Sequence, residues 1–465
     1  MVRFLPSSSI TVDNAAAEST SNPPEASFQS EARAPPASTT STIRAISRSD
    51  VHRITSGQVI LDVQSAVKEL VENALDAGST SIEVRFRNFG LDGIDVVDNG
   101  TGIRSEDWAS IALPHHTSKI ETFDDLASVV TFGFRGEALS ALCAHADVTV
   151  LTATQDDAPL GTLLEFGKGG QLVDSSKKLA RQRGTTVSVE GLFRSLPVRR
   201  RELEKNCKRE YGKAQALLQS YAIISRGVRW SSFNVSGASS QNGGLSNAAA
   251  SIPSTAALRK TTVLAMSSSS GADYLTRNFA SLFGAKTPAS LQPSNLILTL
   301  ESPRSRAAKR PAAIRTGRHT DSHEGAKRAR LNRPDNEDKD EGASSDAASD
   351  SEAEQGSDGS SEIQAVQTVL VRGIISRPSR GCGRTTSDRQ FLYVNGRPWE
   401  NVKITRAFNE VYRQFNTNQV PMVVADFLLE AGRYDVNVSP DKRTIFLHGE
   451  QQLIEALKVS PAAFL

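Results

Sequence analysis

The stretch Lys68-Glu-Leu-Val-Glu-Asn-Ala-Leu-Asp-Ala-Gly78 decides how the rest of the chain is read. Apolar residues at Ala66, Val67, Leu70, Val71, Ala74 and Leu75 recur with helical spacing, and Gly78 supplies a stop signal. On such a helix Glu69 and Asn73 stand four positions apart, so a carboxylate and a carboxamide project from one face. That sets a potential base beside a potential metal ligand. The same letters also describe an amphipathic helix with no chemistry, ended by a glycine. Flanking segments have to separate the two readings.

Downstream, Ile82-Glu-Val-Arg-Phe alternates like a strand, and Ile94-Asp-Val-Val runs into Asp98-Asn-Gly-Thr-Gly-Ile103. Gly100 and Gly102 allow the backbone to turn tightly and lie close to a ligand, and Asp98 can accept a hydrogen bond from the amino group of a base. Asp-Asn-Gly is equally an ordinary turn signal. Next come His116-Thr-Ser-Lys119 and the run Gly133, Phe134, Arg135, Gly136, Glu137, Ala138, Leu139, which leads into a helical stretch from Glu137 to Cys143. Amides freed by glycine at a helix amino end, with Lys119 and Arg135 nearby, make a favourable cradle for phosphate. Gly184-Thr-Thr-Val-Ser-Val189 adds a strand entered through glycine, with Thr186 offering a hydroxyl. His115 and His116 lack Cys or acidic partners at ligand spacing, which argues against a metal role for them.

The whole chain has 465 residues, enough for two ordinary domains, but its hydrophobic content of 38% is low for a chain folded throughout. Lys and Arg number 54 against 52 Asp and Glu, a net charge of +2, so any nucleic-acid partner has to be argued from local patches. Cys143, Cys207 and Cys382 are too scattered for a disulfide framework or a zinc site, and a reducing compartment is expected. No apolar run reaches bilayer-spanning length and the start is too short for a signal peptide, so the expectation is a soluble intracellular protein without membrane association.

The fold expected is α+β. Residues 1–43, rich in Ser, Ala, Pro and Thr, read as a disordered tail. Residues 44–226 read as an α/β sandwich. Residues 227–465 read as a smaller α/β domain, with strands at Val228 to Val235, Thr368 to Ile375, Arg389 to Val394 and Met422 to Leu429, and helices near Arg406 to Phe415 and Gln451 to Leu457. Residues 303–362 interrupt it with a basic block and then an acidic one, as a disordered charged insertion does. Lys309-Arg310 and Lys327-Arg328-Ala329-Arg330 are spaced like a two-part nuclear-import signal, or are simply part of a charged loop.

Taken in order, a Glu-x-x-x-Asn helix, an Asp-x-Gly-x-Gly strand end, a glycine-rich lid and a Gly-Thr strand resemble the GHKL ATP-binding fold shared by DNA gyrase, the heat-shock ATPase chaperone, sensor histidine kinases and MutL. The wording of Lys68 to Gly78, Thr117-Ser-Lys119 and Gly133 to Leu139 is similar to the MutL signatures, over about residues 46 to 465 apart from the insertion and a polar stretch near 236 to 262. Ser56-Gly-Gln-Val59, where Ala-Gly-Glu-Val is usual elsewhere, resembles the eukaryotic post-meiotic-segregation type. So do His115-His-Thr-Ser-Lys119, Asp388-Arg-Gln-Phe391 and Val438-Ser-Pro-Asp-Lys-Arg443.

The resemblance implies a GHKL domain followed by a transducer domain of ribosomal-protein-like βαβ fold. It implies Glu69 as general base on the attacking water, Asn73 as Mg²⁺ ligand, Asp98 as adenine acceptor, Gly133 to Leu139 as part of a lid over ATP, and Lys442 reaching the γ-phosphate. It implies an ATP-gated clamp closing around DNA in the nucleus, with an Mlh-type subunit as heterodimer partner and a MutS-type mismatch-recognition complex upstream. A nuclease domain would lie beyond Ala463-Phe-Leu465, so no nuclease activity is expected of this chain. A protein kinase is disfavoured because no phosphoacceptor-histidine helix precedes the site, and a silent scaffold because Glu69, Asn73, Asp98 and Lys442 are all present. A helix with Arg199, Arg200, Arg201, Lys205, Lys208, Arg209 and Lys213 suits DNA phosphates, but the interspersed Glu202, Glu204 and Glu210 suit an ordinary solvated helix as well.

Overall fold

The computed structural model describes residues 45–120, 122, 125, 131–133, 135–236, 259–300, 367–435, 438 and 444–459. The expected tail, the charged insertion with its basic clusters, Phe134 and Lys442 lie outside the described residues. Residues 45 and 46 belong to a separate leading unit, Met1–Ile46, and are exposed. Everything below concerns Ser47–Leu465.

Helix α1 (Arg48–Val59) is started by Ser47, whose hydroxyl accepts the Asp50 amide at 3.1 Å. Helix α2 (Val63–Asp76) begins with a reciprocal cap. Asp62 accepts the Ser65 amide at 2.7 Å while the Ser65 hydroxyl accepts the Asp62 amide at 2.9 Å. The decisive stretch is therefore helical, but it is not amphipathic in the ordinary sense. Lys68, Glu69 and Glu72 are buried along with Val67, Leu70, Val71 and Ala74.

The first sheet has eight strands: β1 (Ser81–Arg87), β2 (Gly93–Asp98), β3 (Asp147–Ala153), β4 (Leu160–Phe166), β5 (Leu172–Ala180), β6 (Gly184–Glu190), β7 (Arg229–Ser236) and β8 (Arg259–Ser267). Their spatial order is β5-β4-β3-β6-β2-β1-β7-β8, antiparallel except where β1 meets β7. Alternate residues Ile82, Val84, Phe86, Ile94, Val96 and Val189 face one way and share a core with α2, α3 (Ala138–His145) and α4 (Pro197–Ile224). The strand expected at Val228 to Val235 as the opening of the second domain is β7 and belongs to this sheet. The parallel β1 edge was open to a strand delivered by the long α4 crossover, a pairing that local pattern does not encode.

Helix α5 (Tyr274–Phe283) leads to a second sheet of β9 (Leu291–Leu300), β10 (Gln367–Ser376), β11 (Gln390–Val394), β12 (Arg397–Trp399) and β13 (Val423–Leu428), in the order β12-β11-β13-β10-β9. Strands β11 and β13 are parallel, joined through α6 (Val402–Arg413), which is the βαβ unit expected. The final helix α7 (Glu450–Val459) packs with α6 over this sheet through Leu453, Ile454 and Leu457. A third apolar cluster of Ile223, Tyr274, Phe279, Ile374, Tyr393 and Met422 joins the end of α4 and α5 to the second sheet. Side chains of this kind each stabilise by roughly 1.5–3 kcal/mol when fully buried. All three cysteines are free, and among the described residues no helix is long and apolar enough to cross a membrane.

Candidate functional site

Two segments distant in sequence converge on the last turn of α2. The Asp76 carboxylate accepts the Lys119 ammonium at 2.6 Å and the Gly133 amide at 3.0 Å on one oxygen, and the Phe132 amide at 2.9 Å on the other. The Lys119 ammonium also donates to Asn73 Oδ1 at 3.2 Å. Asn73 and Asp76 are three positions apart on the helix, hence neighbours on its surface. Asp76 was in the decisive stretch, and its i+3 spacing from Asn73 is the signal that finds it. Sequence reading had assigned it nothing.

Glu69, one turn earlier, lies in a buried ionic cluster. The Lys68 ammonium is 3.2 Å from a Glu69 oxygen and 2.8 Å from a Glu72 oxygen. Burial draws the Lys68 ammonium down, but the Glu72 and Glu69 carboxylates outweigh it, and the net shift is upward. Lys68 therefore stays charged, as a buried carboxylate pair requires. The Tyr221 hydroxyl from α4 donates to the other Glu72 oxygen at 2.6 Å. Lys68 and Glu72 are an i,i+4 pair on α2, but the Tyr221 contact is set by the packing of two elements and is not legible locally.

The second carboxylate centre forms where β2 ends. Asp98 Oδ1 accepts the Gly100 amide at 2.7 Å and the Thr185 amide at 3.2 Å. Burial pushes the Asp98 carboxyl above its ordinary value, against the two amides, Arg181 and the Ser79 hydroxyl, which pull it down. The glycines are required by space. A Cβ on Gly100 would stand 2.7 Å from Ala77 Cβ, and one on Gly102, at φ +76°, would stand 2.2 Å from the Ala153 carbonyl oxygen. The turn is thus pressed onto the end of α2, and Thr101 donates its amide to Ala77 O at 3.1 Å.

Thr186 stands apart from the Asp98 carboxylate. Thr186 pairs with Val97, on the sheet face away from Asp98, and its hydroxyl accepts from Arg181 at 2.6 Å. Thr185 is the residue on the Asp98 face, because strand side chains alternate and a slip of one residue reverses the face. Arg181 itself, which also donates to the Asp98 carbonyl at 2.8 Å, was missed.

In the glycine-rich segment, Gly136 (φ +61°) lies against the backbone of His116, where a Cβ would be 2.3 Å from its carbonyl oxygen. His115 donates its amide to Gly136 O at 3.1 Å, and its ring Nδ1 is 3.3 Å from Glu137. Glu137 precedes the helix as its N-cap residue, so α3 starts at Ala138, one residue later than expected; Leu139 packs on the core and Arg135 is half-buried. The basic helix is divided: Arg201, Lys205, Lys208, Arg209 and Lys213 are exposed, while others are engaged within the protein. Arg199 donates to the Gly57 and Ile60 carbonyls, Arg200 to those of Leu91 and Leu192, and Arg209 and Lys213 flank Glu210. Arg199 and Arg200 thus serve the fold, and the exposed basic residues leave both readings of this helix standing.

Among known families, residues 61–164 match the histidine kinase-, DNA gyrase B- and HSP90-like ATPase, and residues 354–463 match the DNA mismatch repair protein, C-terminal domain. The chain is 36% identical over 416 residues to the DNA mismatch repair protein PMS1 of Arabidopsis thaliana, covering 90% of this chain and 35% of that protein. It is 37% identical over 430 residues to the mismatch repair endonuclease PMS2 of Gallus gallus, covering 92% of this chain and 41% of that protein. A crystal structure of the N terminal domain of a DNA repair protein superimposes with a TM-score of 0.63 at 32% identity, covering 89% of this chain and 98% of that one. The fold and the sequence likeness define a mismatch-repair protein with a GHKL-type ATPase domain. The chain belongs to the MutL family, and within it to the PMS type. It spans well under half the length of the two full-length relatives.

Proposed function

We propose that this chain binds and hydrolyses ATP at the last turn of α2. The observation that carries the reading is the convergence of Asn73, Asp76, Lys119 and the Gly133 amide at one end of α2, with the Asp98 turn pressed on the same end. The residues suit a magnesium nucleotide. Asn73 Oδ1 is a hard oxygen already accepting a cation, the Lys119 ammonium, at 3.2 Å. Mg²⁺ is commonly held by one or two protein oxygens together with substrate phosphates. When bound, it would draw charge from the phosphate oxygens.

In this reading Glu69 orients the attacking water and takes its proton, and the Lys68 ammonium fixes the carboxylate that does so. Lys119, Arg135 and the amides from Gly133 to Leu139 offer donors to the phosphates, and Gly100, Gly102 and Thr185 shape the base pocket around Asp98. Lys442 is proposed as the contribution of the second unit to the γ-phosphate. The domain division is proposed likewise, an ATPase unit carrying the eight-stranded sheet and a transducer carrying the five-stranded one, with the boundary after β8. Family membership supports extending the proposal to ATP-gated closure around DNA, in the nucleus, as heterodimer with an Mlh-type subunit and downstream of a MutS-type complex.

Phosphate release on adding ATP and Mg²⁺, compared with phosphate transfer onto protein, tests the core of this. Release abolished in Glu69→Ala supports it. Phosphoprotein formation, or release at the parental rate in Glu69→Ala, overturns it.

A further inference from the structure

Among the described residues, the second sheet reaches the site through Arg397. Strands β11 and β12 are joined at Asn395 and Gly396, both in the left-handed region at φ 50° and 77°, the turn geometry whose twist matches that of a hairpin. The turn is tied down. Gly396 donates its amide to the buried Asp426 carboxylate at 2.8 Å, and Asn395 donates through its backbone to Phe427 O at 3.0 Å and through its side chain to Leu429 O at 2.8 Å. Arg397 follows directly and is buried, 5% exposed. Its Nη1 donates to the Phe132 carbonyl at 3.0 Å, its Nη2 donates to the Thr131 carbonyl, and its guanidinium carbon lies 5.3 Å from the Phe132 ring centroid.

The peptide entering Gly133 is therefore gripped from two sides. Asp76 of α2 holds the Phe132 and Gly133 amides, and Arg397 of the second sheet holds the preceding carbonyls. The Phe132 ring in turn stands edge-on to Tyr221, 5.9 Å between centroids, the residue that donates to Glu72.

We propose that Arg397 is a positioning residue for the triphosphate, setting the Thr131–Gly133 segment, and with it Lys119, in the geometry that receives phosphate. The proposal rests on the nucleotide site described above. The forked guanidinium is suited to the task because it serves two carbonyls at once from a rigid plane, whereas an ammonium is a point donor. Arg397 acts through Gly133 and Asp76, so its loss weakens the holding of phosphate and leaves the water-activating Glu69 in place.

The experiment compares ATP and adenosine affinity, and KM and kcat for phosphate release, in the full chain and in Arg397→Ala, Arg397→Lys and Asp98→Asn. Arg397→Ala is expected to raise KM for ATP by about tenfold or more, the scale of one of its two charge-assisted hydrogen bonds felt at the phosphate end. Its kcat should fall by no more than about threefold and its adenosine affinity should hold, because a positional defect confined to the phosphate end acts on binding. Arg397→Lys should fall between. Parental KM in a folded Arg397→Ala chain overturns the proposal, and so does an equal loss of adenosine and ATP affinity. If Arg397→Ala does not fold by circular dichroism, Arg397→Lys decides: KM raised about threefold or more supports the assignment, and parental KM overturns it. Parental ATP affinity in Asp98→Asn would instead sink the nucleotide site, and the Arg397 assignment with it.

Discussion

Tyr221 and Glu72 stand 149 positions apart, on α4 and α2, and their hydroxyl and carboxylate meet at 2.6 Å in the interior. Glu72 then holds Lys68, which holds Glu69. Tyr221→Phe removes one donor and leaves a buried carboxylate oxygen without it. The expected cost is about 1–3 kcal/mol. The urea midpoint should fall without a change in slope, and a midpoint equal to the parent's would show that the bond contributes nothing.

Glu69→Ala is expected to keep ATP binding and to lower phosphate release by a factor of about 100 or more, since it removes the base and leaves the adenine and phosphate contacts. Asn73→Ala should lose the Mg²⁺-dependent part of binding. Equilibrium binding with and without Mg²⁺, beside single-turnover hydrolysis, separates the two. Equal behaviour of the two variants would refute the division of roles.

For Asp98, burial raises the carboxyl in the folded chain, so between its ordinary value of 3.8 and the raised one the folded state binds more protons than the unfolded. Stability therefore falls as pH rises through that window. Asp98→Asn keeps an acceptor for the Gly100 and Thr185 amides and has no such slope. It should be at least as stable as the parent at neutral pH while losing ATP affinity by about tenfold or more, the cost of an unmatched base contact. Urea midpoints from pH 4 to 7 check the sign. A parent gaining stability relative to the variant as pH rises would contradict it.

Thr185 and Thr186 provide a test of strand facing. Thr185→Val, on the Asp98 face, should weaken ATP binding several-fold, whereas Thr186→Val loses only a contact with Arg181 on the other face and should stay within about twofold of the parent. Titration with a fluorescent ATP analogue reads both, and the reverse order would show the assignment of faces to be mistaken.

Leu300 and Gln367 are direct antiparallel partners at the facing ends of β9 and β10, so a short hairpin turn can span them. Replacing residues 301–366 by such a turn should preserve the fold, and the shorter closure contributes about 2 kcal/mol in its favour. Thermal unfolding and phosphate release both check this. A soluble replacement chain with a lowered midpoint would show that the intervening residues stabilise the domain.

Taken by itself, the sequence determined the local elements and singled out the helix that carries the proposed site. Helical spacing from Ala66 to Leu75, the turn after Asp98 and the glycines at 100, 102 and 136 are fixed by side-chain period and backbone sterics, which act over a few residues. It named Asn73 and Lys119, which the structure brings into hydrogen-bonding contact, and the βαβ unit between β11 and β13. What the tertiary structure alone decided is which residues meet. It placed β7 beside β1, set Thr185 rather than Thr186 toward Asp98, surrounded Glu69 with Lys68, Glu72 and Tyr221, turned Arg199 and Arg200 of α4 onto backbone carbonyls, and brought Arg397 onto Phe132. The physical reason is that hydrogen bonds and ion pairs of a few ångströms join residues up to 266 positions apart, and their partners are chosen by how sheets and helices pack, a choice no local pattern records.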